Sequence, residues 1–211
     1  NTHNIGMANL GMHTMYELFN QIPEVSCERV FLPDDFELKE YEKSRTSLLS
    51  LETQSPIKDF DVVAFSISFE TDYLNMAKML QLSNIPVWAE KRNHFHPLVV
   101  MGGAASFLNP EPIAEFTDVI AVGEGEILAH QLIDTILEGG DKDEILLNLA
   151  KFGRGFYVPS LYDVIYNDDG TVFDYLPKQI GVPKRVGRAL ASNNPKEGTL
   201  RRAMKRGEDE L

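Results

Sequence analysis

Asp61-Val-Val-Ala-Phe-Ser-Ile-Ser68 and Pro97-Leu-Val-Val-Met-Gly-Gly103 are the two stretches that decide the fold. Each is a short, continuous apolar run bounded by polar or turn residues, the pattern of a strand covered on both faces. A third run, Asp118-Val-Ile-Ala-Val122, has the same character. Helical spacing lies between and after them: Asp72 to Ser83, a short helix from Pro112 to Phe116, and a long one opened by Gly123-Glu-Gly-Glu126. The last carries Ile127, Leu128, Leu132, Ile133, Ile136 and Leu137 on one stripe and ends at Gly139-Gly140. Apolar strands alternating with helices long enough for crossovers predict a parallel sheet with helices on both faces, a doubly wound, flavodoxin- or Rossmann-like α/β domain.

Working outward, Met7 to Asn20 reads as a first helix and Cys27 to Leu32 as a short extended segment. Asp34 or Asp35 can N-cap a charged helix running to about Arg45. After a helix from Asp143 to Lys151, Tyr162-Asp-Val-Ile-Tyr166 and Thr171-Val-Phe173 flank the turn signal Asn167-Asp-Asp-Gly170, which predicts a small β-hairpin. The organisation expected is an α/β domain over 1–153, a hairpin extension over 154–177, and a basic linker or tail over 178–211.

The 211 residues, 43% hydrophobic and 25% charged, have the balance of a globular protein. A net charge of -12 argues against a surface built to neutralise phosphates, so no nucleic-acid partner is expected. No apolar run approaches the roughly 18 residues that cross a bilayer, and Asn1 to Gly6 lack signal-peptide features; a soluble, cytoplasmic chain with no membrane partner is expected. Cys27 is the only cysteine, which excludes an intrachain disulfide and a cluster held by several cysteines of this chain. Its place in an extended apolar segment suggests a buried, inert thiol.

In an open parallel sheet, ligands sit beyond the carboxyl ends of the strands. Four loops qualify: Asn1-Thr-His-Asn-Ile-Gly6, Ser66-Ile-Ser68, Gly102-Gly103 and Gly123-Glu-Gly-Glu126. Glycines there admit a bulky ligand to the backbone, and serine hydroxyls can bond its polar rim. Glu124 and Glu126 disfavour phosphate and suit ribose or amide groups, or simple helix capping. His94-x-His96 with Glu90 could chelate a metal, but the spacing fits a solvated loop better.

At these residues the chain resembles the cobalamin-binding-like N-terminal domain of radical SAM proteins. The resemblance covers about Asn1 to Leu137 and rests on Asn1-Thr-x-x-x-Gly6-Met-x-Asn-Leu-Gly11, Cys27-Glu-Arg-Val-Phe-Leu-Pro33, Gly102-Gly103 with Asn109-Pro-Glu111, and Gly123-Glu-Gly-Glu126. It implies His3 as a lower axial cobalt ligand, and His3, Gly6, Ser66, Ser68, Gly102, Gly103, Gly123, Glu124 and Gly125 as residues lining a corrinoid site. Asn1 stands where the wider class has an aspartate that orients the histidine. The resemblance also implies a strand leading into the Asn1 loop, and a separate catalytic domain with a [4Fe-4S] cluster and S-adenosylmethionine. One cysteine cannot hold that cluster, so this chain by itself is expected to carry no radical chemistry. The alternative is a docking domain that keeps the fold and binds no cofactor.

Overall fold

A computed structural model describes residues 2–190. A four-residue helix α1 (His3–Gly6) leads into α2 (Leu10–Asn20), whose first turn is capped by Asn9, its side-chain oxygen accepting from the Met12 N–H at 3.0 Å. Helix α3 (Asp35–Ser44) begins with a capping box: the Asp34 carboxylate accepts from Phe36 and Glu37, and Glu37 reaches back to the Asp34 N–H. The expected extended segment from Cys27 to Leu32 makes one parallel bridge, Thr2 with Leu32, and no regular strand.

The sheet follows. Strands β1 (Val62–Ser66), β2 (Leu98–Gly102) and β3 (Val119–Ala121) lie side by side and parallel, with α4 (Asp72–Leu82) crossing from β1 to β2. Two short helices, α5 (Ala105–Leu108) and α6 (Glu111–Ala114), cross from β2 to β3; the first of them was not legible in the sequence. Helices α7 (Gly125–Leu137) and α8 (Lys142–Lys151) then pack together, the second capped by Asp141 in another capping box. The chain returns as β4 (Phe156–Tyr157), antiparallel to β3, so the first residues expected in the hairpin belong to the main sheet. The hairpin itself is β5 (Tyr162–Tyr166) with β6 (Val172–Pro177). This is the doubly wound α/β architecture with a small antiparallel extension.

Strand β2 shows why the runs are apolar at every position. Side chains alternate across a strand. Leu98 and Val100 point into a core shared with α7, α8 and β4, while Val99 and Met101 point into a second core with α4 and Ile113. All four are buried. Two hydrophobic layers thus sandwich one sheet, and no residue of β2 has a polar face to turn to.

The amino ends of the strands are fixed by charge. Arg92 is fully buried; its guanidinium donates to the Asp118 carboxylate at 3.0 Å and to the carbonyls of Pro86, Val87 and Phe116. Asp118 also accepts from the Val99 N–H at 2.8 Å, and its other oxygen lies 2.9 Å from Lys142 Nζ at the start of α8. One carboxylate thereby joins β2, β3, the 86–92 connection and α8. Residues 178–190, expected as the start of a linker, stay on the body: Tyr162 Oη donates to the Pro183 carbonyl, and Ala189 is buried against Gly123. The remainder of the expected tail, 191–211, lies outside the described residues.

Removing one partner of a buried pair leaves an uncompensated charge. Asp118→Ala is expected to cost about 3–5 kcal/mol, measured as a lowered urea midpoint, and Lys142→Ala less, because Asp118 keeps its Arg92 partner.

Candidate functional site

The carboxyl ends of β1, β2 and β3 carry the loops singled out in the sequence. Ser66 and Gly102 are register partners at the ends of β1 and β2. Ser66 is exposed, and a Cβ at Gly102 would meet only the Ala121 methyl, at an ordinary 3.8 Å. Space above these two residues is therefore open. Gly103 differs: its φ is +105° and a Cβ would stand 2.5 Å from the Ile67 carbonyl oxygen. Ile67 donates to the Gly102 carbonyl, and Ala105 donates to that of Ile67, so Gly103 lets the β1 and β2 loops cross backbone on backbone.

Ser68 accepts a 3.4 Å bond from the Asn9 side-chain amide, which ties the β1 loop to the start of α2. Gly6 is buried, with the Phe31 ring where its side chain would be. Gly6, Asn9 and Ser66 line one cavity of about 100 Å³, together with Val30, Phe31 and β1. His3 is exposed one turn before Gly6, its ring edge-on to Phe31 with centroids 5.1 Å apart. Among the described residues no group of three or more His, Cys, Asp or Glu side chains could hold a metal by itself. His94 and His96 lie at the other end of the sheet, in a cleft with Lys58, Pro97 and Lys142.

The fourth loop is filled by this chain. Gly123, at φ +149°, has the Ala189 backbone against the position a Cβ would take. Ala189 donates to the Val122 carbonyl and accepts from Glu124, both at 3.0 Å. Gly125 faces the thioether of Met15 on α2. These glycines therefore serve internal packing. The structure brings together Gly6, Ser66, Ser68, Gly102 and, one turn away, His3; it sets Gly123 and Glu124 under a strap formed by residues 187–189, and Gly125 against Met15.

Two organising roles escaped the sequence reading. Asn9, there only a member of the Gly6-Met-x-Asn-Leu-Gly11 motif inside a helix expected from Met7, is the cap of α2 and also the donor to Ser68. Ser106 is buried, with its hydroxyl 2.7 Å from the Gly103 carbonyl and 2.9 Å from that of Ala121, and so pins the β2 loop to the end of β3.

Residues 11–159 match the family model for radical SAM proteins, N-terminal. The chain belongs to this family. The match runs from α2 through β4 and takes in Ser66, Ser68, Gly102, Gly103 and the Gly123 loop, while His3 and Gly6 fall before it. An uncharacterized protein of Methanocaldococcus jannaschii is 33% identical over 89 residues, which are 42% of this chain and 18% of that protein. This radical SAM N-terminal chain thus aligns with less than a fifth of that relative. No solved structure matches. No helix among the described residues is long and apolar enough to cross a membrane.

Cys27 of this family member is half-buried; burial first, then the Glu52 and Glu28 carboxylates, push its thiol up to about 11. The thiolate is the reactive form. Cys27 is expected to react slowly with a disulfide reagent at pH 8, with the rate climbing until the pH passes about 11; ready labelling at pH 8 would contradict this. Gly103→Ala is expected to cost about 1–3 kcal/mol, because a side chain is forced into positive φ against a carbonyl. Gly102→Ala is expected to leave the thermal midpoint nearly unchanged.

Proposed function

We propose that this domain holds a corrinoid at the carboxyl ends of β1 and β2 and presents it to the iron–sulfur and S-adenosylmethionine domain of a radical SAM enzyme. The observation that carries the reading is the pair Ser66 and Gly102: in register, open above, and flanked by the His3–Gly6 turn. A planar ligand needs backbone it can approach, and a hydroxyl at the rim to orient it; these residues supply both. Ser66 and Gly102 would line the bed of the nucleotide tail, with Ser68 steadied by Asn9 beside them. His3 has an exposed imidazole and can offer a ring nitrogen to cobalt from the turn before Gly6. Among the described residues no carboxylate is shown hydrogen-bonded to His3, the partner that would fix the tautomer of such a ligand. The corrinoid, once bound, would supply the organometallic chemistry; the chain would supply position and exclude water.

Gly103, Gly123, Glu124 and Gly125 act in this reading as walls. Gly103 fixes the crossing of two loops, and the Ala189 strap covers the end of β3, which confines the ligand to the β1–β2 side. The partner catalytic domain follows from the family, and it would meet the same edge.

A second reading, a docking domain without cofactor, is favoured by one observation. Exposed apolar side chains gather at the carboxyl-end loops: Ile5, Leu10, Phe69 at 67% exposure, Phe107, and Leu108 at 73%. Isolated exposed apolar residues are ordinary, but several at one end of a sheet fit a protein-facing surface.

Titration of the chain with hydroxocobalamin, followed by visible absorbance, separates the two. The cofactor reading expects saturable binding that Gly102→Val weakens at least about tenfold, equivalent to about 1.4 kcal/mol, with the fold intact by circular dichroism. A cobalt-ligating His3 further expects a spectrum that His3→Ala shifts; an unaltered spectrum removes the ligand and keeps the site. No binding by the folded chain leaves the docking reading.

A further inference from the structure

Residues 187–189 do more at the carboxyl end of the sheet than cover Gly123. Backbone bonds hold them on both sides of Arg188: Gly187 donates to the Gly153 carbonyl and accepts from Gly155, while Ala189 donates to Val122 and accepts from Glu124. The guanidinium of Arg188 is thereby carried over the Phe107 ring, its carbon 4.4 Å from the ring centroid. Phe107 belongs to α5, and the buried Ser106 hydroxyl next to it in sequence is bonded to the carbonyls of Gly103 and Ala121. Strap and helix are both tied to the ends of β2 and β3, so the guanidinium is held at the rim of the open space above Gly102.

Its state points to a ligand. Stacking uses the face of a guanidinium and leaves N–H donors in its plane, a fork that fits two oxygens of a phosphate or carboxylate. Arg188 is exposed, and among the described residues its side chain has no hydrogen-bond or ion-pair partner. The charge also runs against its surroundings. The chain carries a net charge of -12, and Glu124 and Glu126 at the head of α7 disfavour an anion by the Gly123 loop. Arg188 is directed through Phe107 toward the loop that follows β2, where the candidate ligand space lies.

We propose that Arg188 binds the phosphodiester of the nucleotide tail and makes the site selective for complete corrinoids over those that end at the ring. This rests on the corrinoid reading above and adds to it the group that recognises the charge of the tail. Ser66 and Gly102 bring no charge to the bed they form; Arg188 brings it from a part of the chain beyond residues 11–159, which the family model matches.

The test uses two ligands: hydroxocobalamin, and cobinamide, which keeps the corrin ring and lacks the phosphate and base. Each is titrated against the wild-type chain, Arg188→Gln and Arg188→Lys, with visible absorbance as the readout and circular dichroism as the check on folding. Arg188→Gln should weaken hydroxocobalamin about tenfold, through loss of a charge-assisted contact, and leave cobinamide unchanged. Arg188→Lys should recover part of the loss, since it keeps the charge without the fork. Unchanged hydroxocobalamin affinity in Arg188→Gln overturns the proposal and leaves the corrinoid reading standing. Equal weakening of both ligands also overturns it, because Arg188 then acts through the strap alone. If the folded wild-type chain binds neither ligand, the corrinoid reading itself fails and this proposal falls with it.

Discussion

The Asp118 carboxylate is the point on which the amino end of the sheet depends. It lies at the start of β3, takes an N–H from β2, and is held by Arg92 and Lys142 from two other parts of the chain. Taking three charges out of water is expensive, and this cluster offsets the cost by satisfying the guanidinium with four oxygens. The return is geometric: β2 and β3 start level with each other, and α8 is anchored beneath them. Levels set at one end of parallel strands are inherited at the other, so Gly102 and Ala121 finish beside each other at the ends of β2 and β3.

The two ends of the sheet thus follow different physics. The amino end is closed by charge in a low-dielectric interior, where a specific geometry is strongly preferred. The carboxyl end is assembled from backbone crossings and a buried hydroxyl: Gly103 over Ile67, Ser106 between two carbonyls, Ala189 on Gly123. Such contacts fix loops closely without placing bulk above them. An open, shaped edge results, and it is the edge to which α/β sheets bring ligands.

The layered architecture was readable in advance because burial on both faces forces continuous apolar runs, and 61–68, 97–103 and 118–122 have them. Helix boundaries were readable where capping chemistry marks them, as at Asp34. Other features depend on distance in space. Arg92 lies between Glu90 and His94 in a polar connection, and nothing local announces that its partner is Asp118. The Gly123-Glu-Gly-Glu126 loop read as a ligand cradle because a glycine that admits a cofactor and one that admits the chain's own backbone have the same sequence. Only the position of Ala189 distinguishes them. Likewise Tyr157 and Tyr175, whose phenols are pushed up by burial and then by the Glu111 carboxylate, join the hairpin to the body through contacts that no period in the sequence foretells.

The strap has a mechanical corollary. Residues 187–189 are knitted between the end of β3 and the approach to β4: Gly155 donates to Gly187, Gly187 to Gly153, Ala189 to Val122, and Glu124 to Ala189. Arg188 lies over the Phe107 ring at 4.4 Å. Tension applied to the polypeptide beyond Leu190 is delivered first to Gly123 and the head of α7, and through Phe107 to the loop that follows β2. The seam thus ties residues 187–189 to the edge of the sheet where Gly102 lies.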